Sequence, residues 1–394
     1  MNNFTFQSPT QFVFGDTSQT LCGSWLENQG YKKVLIVYGQ GHAVASGLVK
    51  TVTDSLDAAD IDYIELGGVR PNPEIGLVRQ GVTLAKDHGV DFILGIGGGS
   101  VADCSKAIAC GALYSGDPWD LLRRPNPIRT HKALPTGLVL TIPAAGSEAS
   151  NSAVISNDEL GLKCSLGGDH IRPKVAWMNP CLTLSLPAWQ TAAGITDMCA
   201  HIFERFFSST ENVAVTDGIA LSLLSSIRSE AIKVMRDPEN YDGRANIMWL
   251  GMLAHNGIAG CGRDEDWTSH ALEHELSAMK PEVTHGAGLA VIMPAWMRYV
   301  AKANPYRFRR LGHEVFGLVP TDDVLADAYT TIDVIQQFFC SLGMPKYMDD
   351  FGFVPEDIDL MVENLALTRG KKFGSFMELT CEDAKKIYLS AFKH

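Results

Sequence analysis

The sequence predicts an α/β domain followed by an all-helical domain. In the first half of the chain, short β-branched and apolar runs alternate with helix-like segments, a pattern typical of a parallel sheet covered by helices on both faces. Beyond Leu186-Pro187 the segments become long and helical, and strand signals nearly vanish. Because 394 residues are too many for one ordinary core, we expect domains over residues 1–187 and 188–394.

Each predicted strand of the first half ends in glycine or other small residues, as expected where a parallel strand turns into the next connection. Helix-like segments over 74–88 and 101–113 lie between them. The strands are predicted over 34–38, 61–66, 92–96 and 138–142. The helices of the second half are predicted over 188–208, 212–236, 243–260, 267–279 and 286–303.

Composition excludes several classes of protein. The net charge of −12 disfavours a nucleic-acid partner, because an acidic surface repels phosphate backbones. There is no apolar run long enough to span a membrane, and the first residues lack the basic and apolar regions of a signal peptide. The nine cysteines include no CxxC pair, which indicates reduced thiols in a cytoplasmic protein.

A glycine-rich segment follows the third predicted strand. Gly97-Gly98-Gly99-Ser100 opens the next helix, where unpaired backbone N–H groups can bind phosphate. Alone, the segment could equally be a connecting turn, and it is not the GxGxxG fingerprint. Similar small-residue turns end the strands at Gly39 and at Gly146-Ser147. Since ligands of open α/β sheets bind beyond the carboxyl ends of the strands, the three turns together favour a nucleotide site.

The end of the first predicted strand bears on the choice of nucleotide. It reads Tyr38-Gly39-Gln40-Gly41 and contains no acidic residue. NAD-specific sites usually place a carboxylate at such a strand end to bind the ribose 2′-hydroxyl. Without that carboxylate, a 2′-phosphate meets no repulsion at Gly39 and Gly41. We therefore expect NADP(H) to be preferred, with NAD(H) as the alternative cofactor.

Histidines and one aspartate point to a metal site in the second half. Asp197 and His201 lie four residues apart on one face of an apolar helix, although for this pair alone a buried hydrogen bond is the commoner explanation. A second helix carries His270 and His274, and His285 follows closely. Helical domains build metal sites from inward side chains of separate helices. Such ligands suit Fe²⁺, Zn²⁺, Mn²⁺ or Co²⁺.

Several motifs resemble one family along nearly the whole chain. They are GGGSVADCSKAIA at 97–109, TIPAAGSEAS at 141–150, GITDMCAHIFERFF at 194–207, and DWTSHALEHELSAM with THGAGLAVIMPAWM within 266–297. FVFG at 12–15 and VRPNPE at 69–74 also fit. The chain resembles the iron-containing (group III) alcohol dehydrogenases, most of all their butanol-dehydrogenase-like, NADPH-dependent branch that reduces aldehydes.

The resemblance implies a Rossmann-like N-terminal domain, a helical C-terminal domain and an active site in the cleft between them. It implies interconversion of primary alcohols and aldehydes by hydride transfer at a metal-polarised carbonyl, in a homodimer. The metal ligands of the family correspond to Asp197, His201, His270 and His285 in this sequence. Its cofactor contacts fall on Asn72, Gly98, Gly99, Ser100, Asp103, Thr141, Lys163 and Leu182, and Gly39 occupies the position that is Asp in NAD-using members.

The sequence departs from the family pattern at two positions, and the role of one histidine stays open. The interval from His270 to His285 is one residue longer than in familiar members, and Ala145 replaces a Thr that faces the cofactor in some relatives. His274 is our candidate proton relay, and a water chain is its alternative. Other interpretations are a dehydroquinate-synthase-like lyase and a non-catalytic cofactor-binding relative. Few basic residues near the predicted ligands disfavour the lyase, and the complete ligand set disfavours the second.

Overall fold

Two units make up the chain in the computed structural model, which describes residues 1–124 and 127–393. Ser8–Leu186 form the α/β unit, and Pro187–His394 together with Met1–Gln7 form the helical unit. The predicted fold class, a parallel-sheet domain followed by a helical domain, is confirmed. The division differs from the predicted one in the first seven residues, since Asn2 N donates a hydrogen bond to Gly262 O.

Six parallel strands form the main sheet of the α/β unit, in the order β1-β8-β5-β4-β2-β3. The α/β unit has eight strands among its described residues, and six of them form this sheet. They are β1 Gln11–Phe14, β2 Lys33–Gly39, β3 Asp62–Val69, β4 Phe92–Gly97, β5 Thr136–Leu140, β6 Ser152–Asn157, β7 Leu162–Gly167 and β8 Val175–Met178. Its helices are α1 Cys22–Gln29, α2 His42–Ala45, α3 Leu48–Asp57, α4 Ile75–Asp87 and α5 Gly99–Ala112. β6 and β7 form a separate antiparallel hairpin.

Helices cover both faces of this sheet, and β2 shows why its central strands are mostly apolar. Leu35 and Val37 pack into one hydrophobic cluster with α4 and α5, while Val34 and Ile36 pack into another with α1 and α3. A strand buried on both faces has no position for a polar side chain. The continuous apolar run is therefore the signal from which β2 was predictable.

The structure differs from the predicted strands at their ends. β5 stops at Leu140 instead of residue 142, because Ile142 leaves the sheet to lie over Gly98, where a Cβ atom would be only 2.9 Å from that of Ile142. β3 extends to Val69 through Gly67, which lies against the Tyr38 ring. The strands β6, β7 and β8 are not among those predicted, because they are short or alternate polar and apolar residues.

The helical unit carries nine α-helices among its described residues. They are α6 Ala188–Phe206, α7 Ala214–Arg236, α8 Tyr241–His255, α9 Thr268–Met279, α10 His285–Val300, α11 Pro305–Phe316, α12 Val324–Ser341, α13 Ile358–Arg369 and α14 Cys381–Ser390. A short ribbon of β9 Lys372–Phe373 and β10 Leu379–Thr380 is the one departure from the predicted all-helical pattern. No described helix is both long and apolar enough to cross a membrane.

Helix α6 is the centre of the helical unit. Every residue of α6 from Thr191 to Phe206 is buried, so its polar side chains must find partners inside the protein. Helix α10 begins directly against it, because a Cβ atom on Gly286 would lie 2.0 Å from Ala193 O. Only glycine permits that approach. The close contact fixes the start of α10, where His285 lies, beside the helix that carries Asp197 and His201.

Candidate metal centre and cofactor-binding edge

Three helices bring the four predicted metal ligands together. Asp197 and His201 lie one turn apart on α6, His270 lies on α9, and His285 begins α10. Asp197, His201 and His270 are buried, and the His285 side chain is 25% exposed. Candidate ligand atoms of Asp197, His201 and His270 all lie within 4.8 Å of one another. The packing of α6 against α9 and α10 therefore assembles the cluster from residues far apart in sequence.

The three imidazoles converge on one carboxylate oxygen. Asp197 Oδ1 lies 3.3 Å from His201 Nδ1, 3.6 Å from His270 Nε2 and 3.9 Å from His285 Nε2. This oxygen is buried and has no hydrogen-bond partner among the described residues. Ligand atoms around a tetrahedral ion with bonds of 2.0–2.2 Å are about 3.3–3.6 Å apart. The donor set and its spacing thus fit a divalent transition-metal ion.

The charges of the cluster also suit a cation. Burial and the neighbouring His255 hold the pKa of His201 well below its usual range, so this imidazole is neutral and can act as a ligand. Burial also lowers the pKa of His270, but Glu204 and Asp197 outweigh that effect and raise it to about 9. The buried carboxylates therefore supply negative charge that a divalent ion would balance.

Two further carboxylates orient two of the imidazoles. Glu204 Oε2 lies 2.5 Å from His270 Nδ1, and Glu273 contacts His285 Nδ1. Both glutamates are fully buried. A carboxylate on Nδ1 keeps the proton there, which leaves Nε2 free to bind a metal. In both histidines it is Nε2 that faces Asp197.

Our sequence interpretation did not include these two glutamates. A signal for them exists, because Glu204 lies one turn beyond His201 on α6 and Glu273 lies one turn beyond His270 on α9. A charged residue on the same buried helix face as a ligand needs a partner. The partner cannot be named from sequence, because each glutamate meets a histidine of another helix only after folding. Glu204 of α6 contacts His270 of α9, and Glu273 of α9 contacts His285 of α10.

Two more histidines line the cluster. His274, the predicted proton relay, has its ring centroid 5.5 Å from that of His285 and 6.3 Å from that of His270. His255, at the end of α8, contacts the His201 ring edge-on with centroids 4.0 Å apart. His255 was not among the predicted site residues, because nothing in its local sequence distinguishes it from an ordinary core histidine.

Glu204→Gln is expected to weaken metal binding about 10- to 100-fold. Glu204 Oε1 accepts hydrogen bonds from His270 N and from Ser269 Oγ, while Oε2 faces His270 Nδ1. A glutamine amide must turn its NH₂ group towards one of these donors in either orientation. The measurement is the metal dissociation constant by chelator competition.

The matched control is Glu230→Gln. Glu230 is another buried carboxylate of the helical unit, and it pairs with Lys233 and Asn246 instead of the cluster. Its variant should keep the wild-type metal affinity. Equal metal affinity in Glu204→Gln and wild type would contradict the orienting role of Glu204.

The α/β unit gathers the predicted cofactor residues at the carboxyl edge of its sheet. Gly39 ends β2, Gly98–Ser100 follow β4, Thr141 follows β5 and Leu182 follows β8. β2 and β4 are neighbours whose connections run in opposite directions along the sheet. This is the topological switch point at which open α/β sheets bind nucleotides. The structure thus places Gly39 at the end of the strand next to the glycine segment and Gly41 in the turn that follows it.

Two predicted cofactor residues contact each other, and a third is held by protein donors. Lys163 Nζ donates to Asn72 Oδ1 at 2.9 Å, and Asn72 has a positive φ of 55°. Asp103 accepts from Ser147 Oγ at 2.6 Å and from Val154 N at 2.8 Å. Asp103 is therefore built into the protein framework beside the predicted phosphate site, whatever contact it makes with a nucleotide.

The fold and the cluster together define the class of protein. Its α/β unit has a parallel sheet of the kind that binds nucleotides, and its helical unit carries one carboxylate and three imidazoles spaced like the ligands of a metal ion. The family model for iron-containing alcohol dehydrogenases matches residues 9–180. The model for the C-terminal part of the Fe-containing alcohol dehydrogenase family matches residues 191–392. The chain belongs to the iron-containing alcohol dehydrogenase family, as the sequence motifs predicted.

Individual relatives are similar to this chain over its full length. The chain is 37% identical to NADH-dependent butanol dehydrogenase A of Clostridium acetobutylicum, covering 100% of both chains. It is 33% identical to the NADPH-dependent aldehyde reductase YqhD of Escherichia coli, covering 99% of this chain and 100% of that one. The crystal structure of NADH-dependent butanol dehydrogenase A from Thermotoga maritima has a TM-score of 0.96 at 36% identity, covering 100% and 99% of the two chains.

Proposed function

We propose that this alcohol dehydrogenase is a metal-dependent, NADP(H)-preferring enzyme that reduces small aldehydes to primary alcohols. Alcohol dehydrogenase and aldehyde reductase chemistry is that of its family. The observation that carries the proposal is the convergence of three imidazole nitrogens on Asp197 Oδ1. We assign the metal to Asp197, His201, His270 and His285, and we favour Fe²⁺ or Zn²⁺ over Mn²⁺ and Co²⁺.

The residues of the chain would position the reactants and manage protons. When bound, the metal would act as a Lewis acid on the substrate oxygen and the nicotinamide would supply the hydride. Glu204 and Glu273 keep the protons of His270 and His285 on Nδ1, so that both Nε2 atoms stay available. The glycine segment at 98–100 offers backbone N–H groups to the pyrophosphate at the start of α5.

The preference for NADP(H) rests on the end of β2. Residues 39–42 read Gly-Gln-Gly-His and contain no carboxylate to repel a 2′-phosphate. Among the relatives, butanol dehydrogenase A is named NADH-dependent and YqhD is named NADPH-dependent. Measurement of kcat/KM for this protein with NADPH and with NADH decides which cofactor it prefers. A higher value with NADH would contradict the proposed preference.

The activity is tested with purified protein whose metal content is measured on the same sample. Metal-free protein is reloaded separately with Fe²⁺ under anaerobic conditions and with Zn²⁺, and oxidation of NADPH is followed with butanal and other straight-chain aldehydes. We expect turnover that depends on the added metal. Cofactor binding without aldehyde-dependent oxidation in either metal form would contradict the proposal and favour a non-catalytic relative.

His274→Ala is expected to lower turnover while metal content stays near one ion per chain. His274 lies beside His285 and is not one of the four proposed ligands, and general acid–base groups contribute about 10²–10⁴-fold to the rate. The measurement combines metal analysis with kcat as a function of pH. Loss of metal from this variant would show that His274 is a ligand, and unchanged kcat would favour a water chain as the proton relay.

We further propose a cytoplasmic homodimer. All nine cysteines are free thiols, which supports a reducing compartment. β1 is the first strand in the order of the main sheet and pairs with β8 among the described strands, and a second copy could extend the sheet beyond β1. Sedimentation analysis tests the dimer, and a monomeric mass would contradict it.

A further inference from the structure

A buried lysine in the α/β unit is placed to act on the cofactor site without touching it. Lys106, on α5, is 1% exposed. Its Nζ atom donates to Ser147 Oγ at 2.8 Å, Ser150 O at 3.1 Å, Ser150 Oγ at 3.1 Å and Ser152 O at 2.9 Å. An ammonium group has three protons, so these four oxygens use its full donor capacity. One ammonium group thus forms hydrogen bonds along the segment from residue 147 to residue 152.

Asp103 joins the same segment from the same helix face. It lies one turn before Lys106 on α5, and it accepts from Ser147 Oγ and from Val154 N. Ser147 therefore accepts from the lysine and donates to the aspartate, so its hydroxyl links two side chains of α5. Side chains three residues apart on a helix point the same way. Lys106 and Asp103 together fasten residues 147–154 to the helix that begins at Gly99.

The segment held in this way continues directly over the glycine turn. Thr141 N donates to Gly97 O at 3.0 Å, Ile142 lies over Gly98, and a Cβ atom on Gly99 would be 3.3 Å from that of Ala145. Residues 141–145 thus form a wall against Gly97–Gly99. The wall follows β5 of the sheet at its start, and two residues beyond its far end Ser147 binds Lys106.

The surroundings keep Lys106 charged at neutral pH. Burial lowers the pKa of Lys106 to about 8, while the carboxylates of Asp103 and Glu148 oppose this effect and the nearby Arg172 adds to it. Glu148 is also buried, at 1% exposure. Burying a charged lysine costs free energy unless it is paired and fully hydrogen-bonded.

We propose that Lys106 is a positioning residue for the cofactor: through Ser147 it holds the 141–152 segment against the glycine turn and so sets the shape of the pyrophosphate site. This inference rests on the proposed nicotinamide-dependent function. Its consequence is a defect in cofactor binding with little defect in chemistry, because the reacting groups of the helical unit are unaffected.

The test compares Lys106→Met, Ser147→Ala and the control Thr10→Val in the metal-loaded full-length protein. Thr10 is buried in the same unit, and its hydroxyl donates to Pro173 O at 2.7 Å, so its variant loses a comparable internal hydrogen bond away from the glycine turn. Ser147→Ala removes only the hydroxyl link and carries the test if Lys106→Met does not fold. The dissociation constant for NADPH is measured by fluorescence titration, and kcat is measured at saturating NADPH.

We expect the dissociation constant for NADPH to rise about 10- to 100-fold in Lys106→Met and Ser147→Ala, with kcat within about twofold of wild type. Thr10→Val should bind NADPH as wild type does, even where its thermal stability falls. Wild-type affinity for NADPH in Ser147→Ala would overturn this inference and leave the proposed function intact. Absence of NADPH binding in the wild type would overturn the proposed function and this inference with it.

Discussion

His270→Ala is expected to remove both the metal and the activity. His270 Nε2 faces Asp197 Oδ1, and its Nδ1 is held by Glu204, so the substitution deletes a ligand and leaves a buried glutamate without its imidazole partner. A Lewis-acid metal contributes several kcal/mol to the transition state. Since about 4 kcal/mol corresponds to about a thousandfold in rate, kcat/KM should fall by at least that factor. Metal content and kcat/KM are measured on the same preparation.

The control for this variant is His313→Ala. His313 lies on α11, is exposed, and uses its Nδ1 atom at the Leu318 carbonyl. That variant should keep the wild-type metal content and turnover. Circular dichroism of His270→Ala establishes that the helical unit remains folded. A folded His270→Ala protein with one metal ion per chain would contradict the proposed ligand set.

Asp217→Ala is expected to destabilise the protein by about 3–5 kcal/mol. Asp217, on α7, forms ion pairs with Arg263 at 2.8 Å, Arg307 at 2.7 Å and Arg310 at 2.8 Å. The Arg263 side chain is fully buried. Without the carboxylate, three guanidinium groups would face one another with too little solvent to screen their repulsion. The free energy of unfolding is measured by urea titration.

The exposed pair Lys385–Asp359 offers a matched control. Its side chains are 40% and 71% exposed, so Asp359→Ala should change stability by less than about 1 kcal/mol. Equal effects of Asp217→Ala and Asp359→Ala would contradict the importance of the buried cluster.

The same aspartate predicts a pH dependence of stability. Burial raises the pKa of Asp217, but Arg307 and Arg263 outweigh burial and hold the pKa below its usual range. A depressed pKa in the folded state adds stability above the ordinary aspartate pKa of about 3.9, and this stability is lost as the pH falls further. The stability difference between wild type and Asp217→Ala should therefore shrink in acid. A constant difference from neutral pH down to about pH 3 would contradict this assignment.

Helix periodicity made the helical unit largely predictable. The predicted segment 267–279 is α9 to within one residue, and 212–236 is α7 to within two. The predicted segment 243–260 is instead interrupted after His255, where Gly257 adopts a positive φ of 101°. A lone glycine in a helical pattern is ambiguous from sequence, so this break depends on the surrounding fold.

The sheet was less predictable because its strands differ in environment. β2 and β4 are buried on both faces and appear as continuous apolar runs. β6 and β7 form a hairpin outside the main sheet, and their alternating residues resemble those of a loop. Short strands without a strong period lack a local signal. Their positions follow from long-range pairing, which sequence patterns do not report.

The sequence alone determined which residue types were available for chemistry. The Asp197–His201 spacing, the histidines of α9 and the glycine turn after β4 were all visible, and the family motifs predicted which of the clustered histidines would be ligands. Helical spacing places side chains on a common face. It therefore predicts neighbours within one helix, but it cannot predict contacts between separate helices.

The tertiary structure alone decided how those residues support one another. The approach of α10 to α6 at Gly286 brings His285 within 3.9 Å of Asp197, and Glu204 meets His270 across 66 residues of sequence. Lys106 reaches four oxygens of a segment more than 40 residues away. Such partners are chosen by burial, because a charged group removed from water must find its counterpart wherever the packed chain places one.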